Sequence, residues 1–163
     1  MSPVSRADAE GGGRGGREPE VASDDAGTAS PGRTVGRIAL AAILLFAGIS
    51  HLTFAREEFQ AQVPDWFPLD EDLVVIGSGI VELTLGGSLL LARGRRRIQV
   101  GWIVAAFFVV IFPGNIAQYL ERTDAFGLDT DAKRLARLPG QVGLVLLALW
   151  STGAWRAWRS RRR

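Results

Sequence analysis

The 163-residue chain contains no cysteine, and only one each of histidine, tyrosine, lysine and methionine. Without thiols there is no disulfide framework, no thiolate nucleophile and no thiolate metal site, and the redox compartment leaves no mark. Four-helix quinone-linked thiol oxidases are excluded on the same ground. A single histidine, His51, cannot supply a bis-histidine haem site, and with one glutamate and some amides it does not make a transition-metal set. No metal and no cofactor within the chain is therefore expected, and no catalytic set points to an enzyme acting on its own. All basic residues but Lys133 are arginine, a bias that suits a GC-rich genome and carries no function.

Apolar residues make up 47% of the chain and are gathered into four blocks, residues 38–54, 73–92, 98–120 and 139–155. Each is about the length a transmembrane helix needs at roughly 1.5 Å rise per residue. The expected fold is all-α, a four-transmembrane-helix bundle over residues 34–158 with a basic C-terminal end at 159–163. Residues 1–33 hold Gly11-Gly12-Gly13, Gly15-Gly16, serines and acids, too little apolar surface to offset the entropy of ordering. A disordered tail is expected there. A signal peptide is not, because the first apolar block starts only at Ile38 and three more follow it.

Most of the basic residues fall on one side of a four-span chain: those up to Arg37, then Arg93, Arg95, Arg96 and Arg97, then Arg156 onward. The arginine bias puts both termini in the cytoplasm of an inner-membrane protein. On the opposite, outer side the loop from Arg56 to Asp72 carries Glu57, Glu58, Asp65, Asp70, Glu71 and Asp72 against Arg56 alone. Asp70, Glu71 and Asp72 stand where the second helix begins, where carboxylates cap free amides and suit the positive end of the helix dipole. Trp155 and Trp158 alternate with arginines, the pattern of a membrane interface rather than of nucleic-acid binding.

Glu82 lies in the middle of the second block. An acidic residue at a helix centre costs about 2.5–3.5 kcal/mol, so it is normally protonated, paired or turned inward. Helical spacing puts Gly79, Glu82 and Gly86 on one stripe, a small-residue face that permits close helix approach. Gly48 and Ala47 lie one turn below His51 on the first helix. On the third, Pro113 and Gly114 predict a kink, and Asn115, Gln118 and Tyr119 share the next face. Gln141 follows Pro139, which suits the first turn of the fourth helix. Each helix thus places a polar group in the outer half. The cluster reads either as interhelical glue, worth about 0.6 kcal/mol per hydrogen bond, or as a proton-handling or ligand pocket in which burial favours a neutral Glu82 and His51 shares its proton.

Two other strings carry less. Gly77-Ser78-Gly79 resembles the start of a dinucleotide loop but lacks the third glycine and lies inside a span. Asp124, Asp129 and Asp131 lack the EF-hand glycine and terminal glutamate. Lys133, Arg134 and Arg137 form a short basic helix before Pro139, suited to pairing with the neighbouring carboxylates or to holding an anion.

Five strings in order, Phe46-Ala47-Gly48-Ile49-Ser50-His51, Val63-Pro64-Asp65-Trp66-Phe67-Pro68, the glycine-rich span around Glu82, Phe112-Pro113-Gly114-Asn115 and Arg137-Leu138-Pro139-Gly140-Gln141, resemble the DoxX family of small four-helix membrane proteins. The resemblance covers about residues 38 to 150. Gly114 and Gly140 depart from it, since alanine and a larger residue commonly stand there, which implies looser packing at both points. It implies an integral membrane component linked to quinone or thiol redox systems, with a membrane or periplasmic-side redox protein as partner, a quinone as the conceivable ligand, and a homo-oligomer as a further option. The rival expectations are a proton-coupled small-molecule transporter acting as a dimer and a purely structural assembly factor.

Overall fold

The computed structural model describes residues 30–64 and 66–162. The expectation of a disordered tail over residues 1–29 lies outside them, as do Asp65 and Arg163. Six helices follow in order: α1 Pro31–Leu52, α2 Arg56–Gln60, α3 Glu71–Leu91, α4 Gly94–Leu120, α5 Asp131–Ser151 and α6 Ala154–Ser160.

Helices α1, α3 and α4 are long and apolar enough to cross a membrane, and α5 with α6 qualifies as a fourth, bent unit. Only a third of each of the three long spans is buried. Their outward faces carry large apolar side chains, among them Phe46, Leu91, Ile103 and Val110, as a bilayer-facing surface requires. Two hydroxyls inside the spans turn back on their own helices, Ser50 Oγ donating to Phe46 O at 2.7 Å and Thr84 Oγ1 to Ile80 O at 2.8 Å, so neither is left to the lipid.

The long helices form two tight pairs, α1 on α3 and α4 on α5, joined mainly through α1 against α5. Glycine makes the first pair possible. A Cβ placed on Gly48 would come within 2.8 Å of Gly79 O, and one on Gly86 within 2.8 Å of Leu45 Cγ. Gly101 does the same for α4, where a Cβ would collide with the Thr152 side chain. These approaches are the small-residue seams of membrane bundles.

One end of the bundle gathers the start of α1, the end of α3, the start of α4 and the end of α5; we term it the terminal end. There Arg37 Nη1 donates to Leu89 O at 3.0 Å and Ala92 O at 3.2 Å, capping the free carbonyls of α3. Leu40, Leu44, Leu89, Val104 and Ala148 close the core on that side. The other end carries the 53–70 and 121–130 connections.

Helix boundaries differ from the apolar blocks in instructive ways. α1 begins at Pro31, so residues 31–33 are helical rather than tail; proline suits this first-turn position. α4 runs unbroken through Pro113. α5 begins at Asp131, not at Pro139, because Thr130 caps it by accepting from Lys133 N; Pro139 stands inside the helix. At the far end Gly153, at φ +80°, stops α5, and α6 leaves at 65°. The block 139–155 is therefore not one straight rod. Of the acidic trio, Asp70 caps α3 by accepting from Asp72 N and Leu73 N, whereas Asp72 pairs with Arg56.

Candidate functional site

Toward the connection end the long helices line a cavity of about 850 Å³. His51, Glu82, Asn115 and Gln141, one from each long helix, all line it, and each is no more than 7% exposed. The glycine seam brings the first two together: a Cβ on Gly79 would stand 2.8 Å from His51 Cβ. In consequence His51 Nδ1 lies 2.7 Å from Glu82 Oε2.

Nδ1 also lies 3.0 Å from Ala47 O, the carbonyl one turn back. A carbonyl only accepts, so this second approach favours a proton on Nδ1. The same proton is poorly aligned on Glu82, whose Oε2 is buried without an aligned hydrogen-bond partner. The imidazole and the carboxyl are thus in contact, with Glu82 Oε2 still open to a further donor. A group entering the cavity can complete the hydrogen bonding of Oε2.

Phe59, from α2, stacks on the imidazole with ring centroids 3.4 Å apart, and Phe126 meets Phe59 edge-on at 4.5 Å. Phe126 adopts φ +56°, outside the usual range for a bulky residue; its N–H donates to Glu58 Oε2, which pins the 121–130 connection over the site. Arg137 lies over Phe126, 5.5 Å from the ring centroid. Its Nη1 donates to Gln118 Oε1 at 2.9 Å and its Nη2 to Gln62 Oε1 at 3.3 Å. Gln141 Nε2 donates to Phe108 O at 2.8 Å.

Of the candidate cluster, Gln118 is buried but belongs to the Arg137 and Gln62 network rather than to the cavity wall. Tyr119 is set apart from it: the next residue along α4 turns about 100° away, is only half-buried, and does not line the cavity. Of the packing glycines, Gly48, Gly79 and Gly86 are in close contact, Gly114 meets Gln62 O at an ordinary 3.4 Å, and Gly140 faces open space. Pro113 is exposed and also borders the cavity. Lys133 and Arg134 are paired with Asp129 and with Asp124 and Asp131 respectively.

Sequence reading left out Phe59, Phe126 and Gln62, and placed Arg137 only on the basic helix before Pro139, not at the site. Arg137 had a signal, since it lies four residues before Gln141 on one helix face once α5 is begun at Asp131. The other three come from connections whose return path no periodicity encodes. Among the described residues no cluster of three or more potential metal ligands of the His, Cys, Asp or Glu type exists.

No curated protein and no solved structure matches the chain. A family model does, over residues 40–152, taking in α2 to α5 and most of α1. The chain belongs to that family, described as a domain of unknown function (DUF8561).

Proposed function

We propose that the protein is a DoxX-like, four-span inner-membrane protein, with α5 and α6 as the bent fourth span and both termini cytoplasmic, serving as a subunit or accessory of a quinone- or thiol-linked redox system. In this reading the cavity opens toward the outer side and takes a small polar or quinone headgroup, and His51 and Glu82 pass a proton with it. The contact between Nδ1 and Oε2 at 2.7 Å on the wall of a largely apolar cavity carries the reading. An apolar cavity with a few convergent polar groups is the usual form of a small-molecule site, and an intramembrane carboxyl beside a histidine is the usual form of a proton relay.

The transporter reading has less support. A transport route must reach both faces, and Leu40, Leu44, Leu89 and Val104, each at most 1% exposed, fill the core toward the terminal end. The test is Glu82→Gln in the native host. Loss of quinone-linked activity with normal assembly of the membrane complex supports the proposal; unchanged activity reduces the cluster to packing. Proton-gradient-dependent export abolished by Glu82→Ala would instead establish the transporter.

A further inference from the structure

At the terminal end, far from the cavity wall of His51 and Glu82, charge is of one sign. Among the described residues the ionisable side chains there are arginines, from Arg33 and Arg37 through Arg93, Arg95, Arg96 and Arg97 to Arg156 and beyond. None pairs with a described carboxylate. Every described carboxylate lies at the connection end or, as Glu82, within the bundle. Such a concentration of cation beside apolar helices calls for anions from elsewhere.

Two of these arginines converge on a shaped site. Because Gly153 turns α6 by 65°, α6 lies across the start of α4. Between them is a notch of about 200 Å³, lined by Arg95, Gln99 and Trp102 from α4 and by Trp158 and Arg161 from the α6 side. Arg162 sits 4.0 Å over the Trp158 ring, fixing the indole plane. The volume equals that of about six or seven waters, enough for a phosphate with a glycerol unit and too small for a folded partner. Below the notch, Trp102, Ile103, Val109 and Val110 continue as an exposed apolar strip along α4.

We propose that this notch binds the headgroup phosphate of an anionic phospholipid. Arg95 and Arg161 flank the phosphate, with the planar, fork-like donors that suit its oxygens. Gln99 supplies an amide to the glycerol or ester oxygens. Trp102 and Trp158 lie at the level where indoles meet the headgroup boundary, and the acyl chains follow the apolar strip of α4. The site is separate from the cavity and does not depend on the redox reading.

The test titrates delipidated full-length protein in detergent with phosphatidylglycerol, using phosphatidylcholine as the neutral comparator, and reads bound lipid by native mass spectrometry. Wild type should retain phosphatidylglycerol over phosphatidylcholine. Arg95→Gln with Arg161→Gln should reduce that retention about tenfold or more, since two charge-assisted contacts are lost. Arg156→Gln with Arg159→Gln removes the same charge outside the notch and should leave retention within about twofold. Equal loss in both pairs would mean a diffuse field and no site, overturning the proposal. So would equal retention of the two lipids, or displacement of phosphatidylglycerol by an equal concentration of glycerol 3-phosphate, which has the phosphate but no acyl chains.

Discussion

Gly79 and His51 meet across the α1–α3 seam so closely that a methyl group on Gly79 would stand 2.8 Å from His51 Cβ. The seam sets the position of the imidazole, and through it the 2.7 Å contact with Glu82 three residues further along α3. Packing and candidate chemistry therefore share one device: small residues let the helices touch, and the touching helices bring a base to a buried carboxyl.

The seam can be tested against its own neighbours. Gly48→Ala and Gly79→Ala should each cost about 1–3 kcal/mol, the usual penalty of overpacking. Gly77→Ala and Gly87→Ala face open space, and should be neutral or stabilise by up to about 1 kcal/mol through helix propensity. Thermal unfolding in detergent, followed by circular dichroism, orders the four variants. The reverse order would mean that α1 and α3 do not pack through this stripe.

Arg134 is 5% exposed and donates to both Asp124 and Asp131. Arg134→Ala should destabilise the 121–130 connection by about 1–3 kcal/mol, because charge-assisted hydrogen bonds are lost while the freed carboxylates remain solvated. Arg134→Lys should recover only part, since an ammonium cannot serve two carboxylates with the guanidinium's fork. Limited proteolysis of the connection gives the readout, with cleavage fastest in the alanine variant. Equal cleavage in all three proteins would show that the network does not hold the connection.

The absence of native cysteine makes topology directly measurable. A single cysteine placed by Asp124→Cys should react with an impermeant maleimide in intact cells, whereas one placed by Ser160→Cys should react only after the cytoplasmic membrane is opened. The opposite pattern would invert the orientation. Labelling of both in intact cells would rule out both ends of the bundle lying on opposite sides of the membrane.

Much of this arrangement was legible in the sequence, and the exceptions have physical causes. Apolar runs located α1, α3 and α4, and helical spacing placed Gly79, Glu82 and Gly86 on one face because a helix repeats every 3.6 residues whatever surrounds it. Depth along the spans put Asn115 and Gln141 in the same outer half as His51, and all three line the cavity. Sequence reading failed where hydropathy and helicity part company: α5 continues through the polar stretch from Asp131 to Arg137, so reading its start from Pro139 removed Arg137 from the face it shares with Gln141. Tyr119 erred the other way, admitted by an i, i+4 relation to Asn115 though the α4 face at that point turns from the cavity. Phe59 and Phe126 were beyond reach, since their contact joins residues 67 positions apart through connections with no repeating pattern.

The central claim is that the cavity at His51 and Glu82 binds a headgroup and exchanges a proton with it. The direct measurement is binding of a short-chain quinol to purified protein by calorimetry in two buffers of different ionisation enthalpy, with wild type and Glu82→Gln side by side. Glu82→Gln preserves the shape of the side chain, and its thermal stability should stay within about 1 kcal/mol of wild type. The account predicts saturable binding to wild type with a proton transferred to or from buffer, and weaker binding with no proton transfer in Glu82→Gln. No saturable binding to wild type, or identical binding and proton transfer in the two proteins, would contradict it.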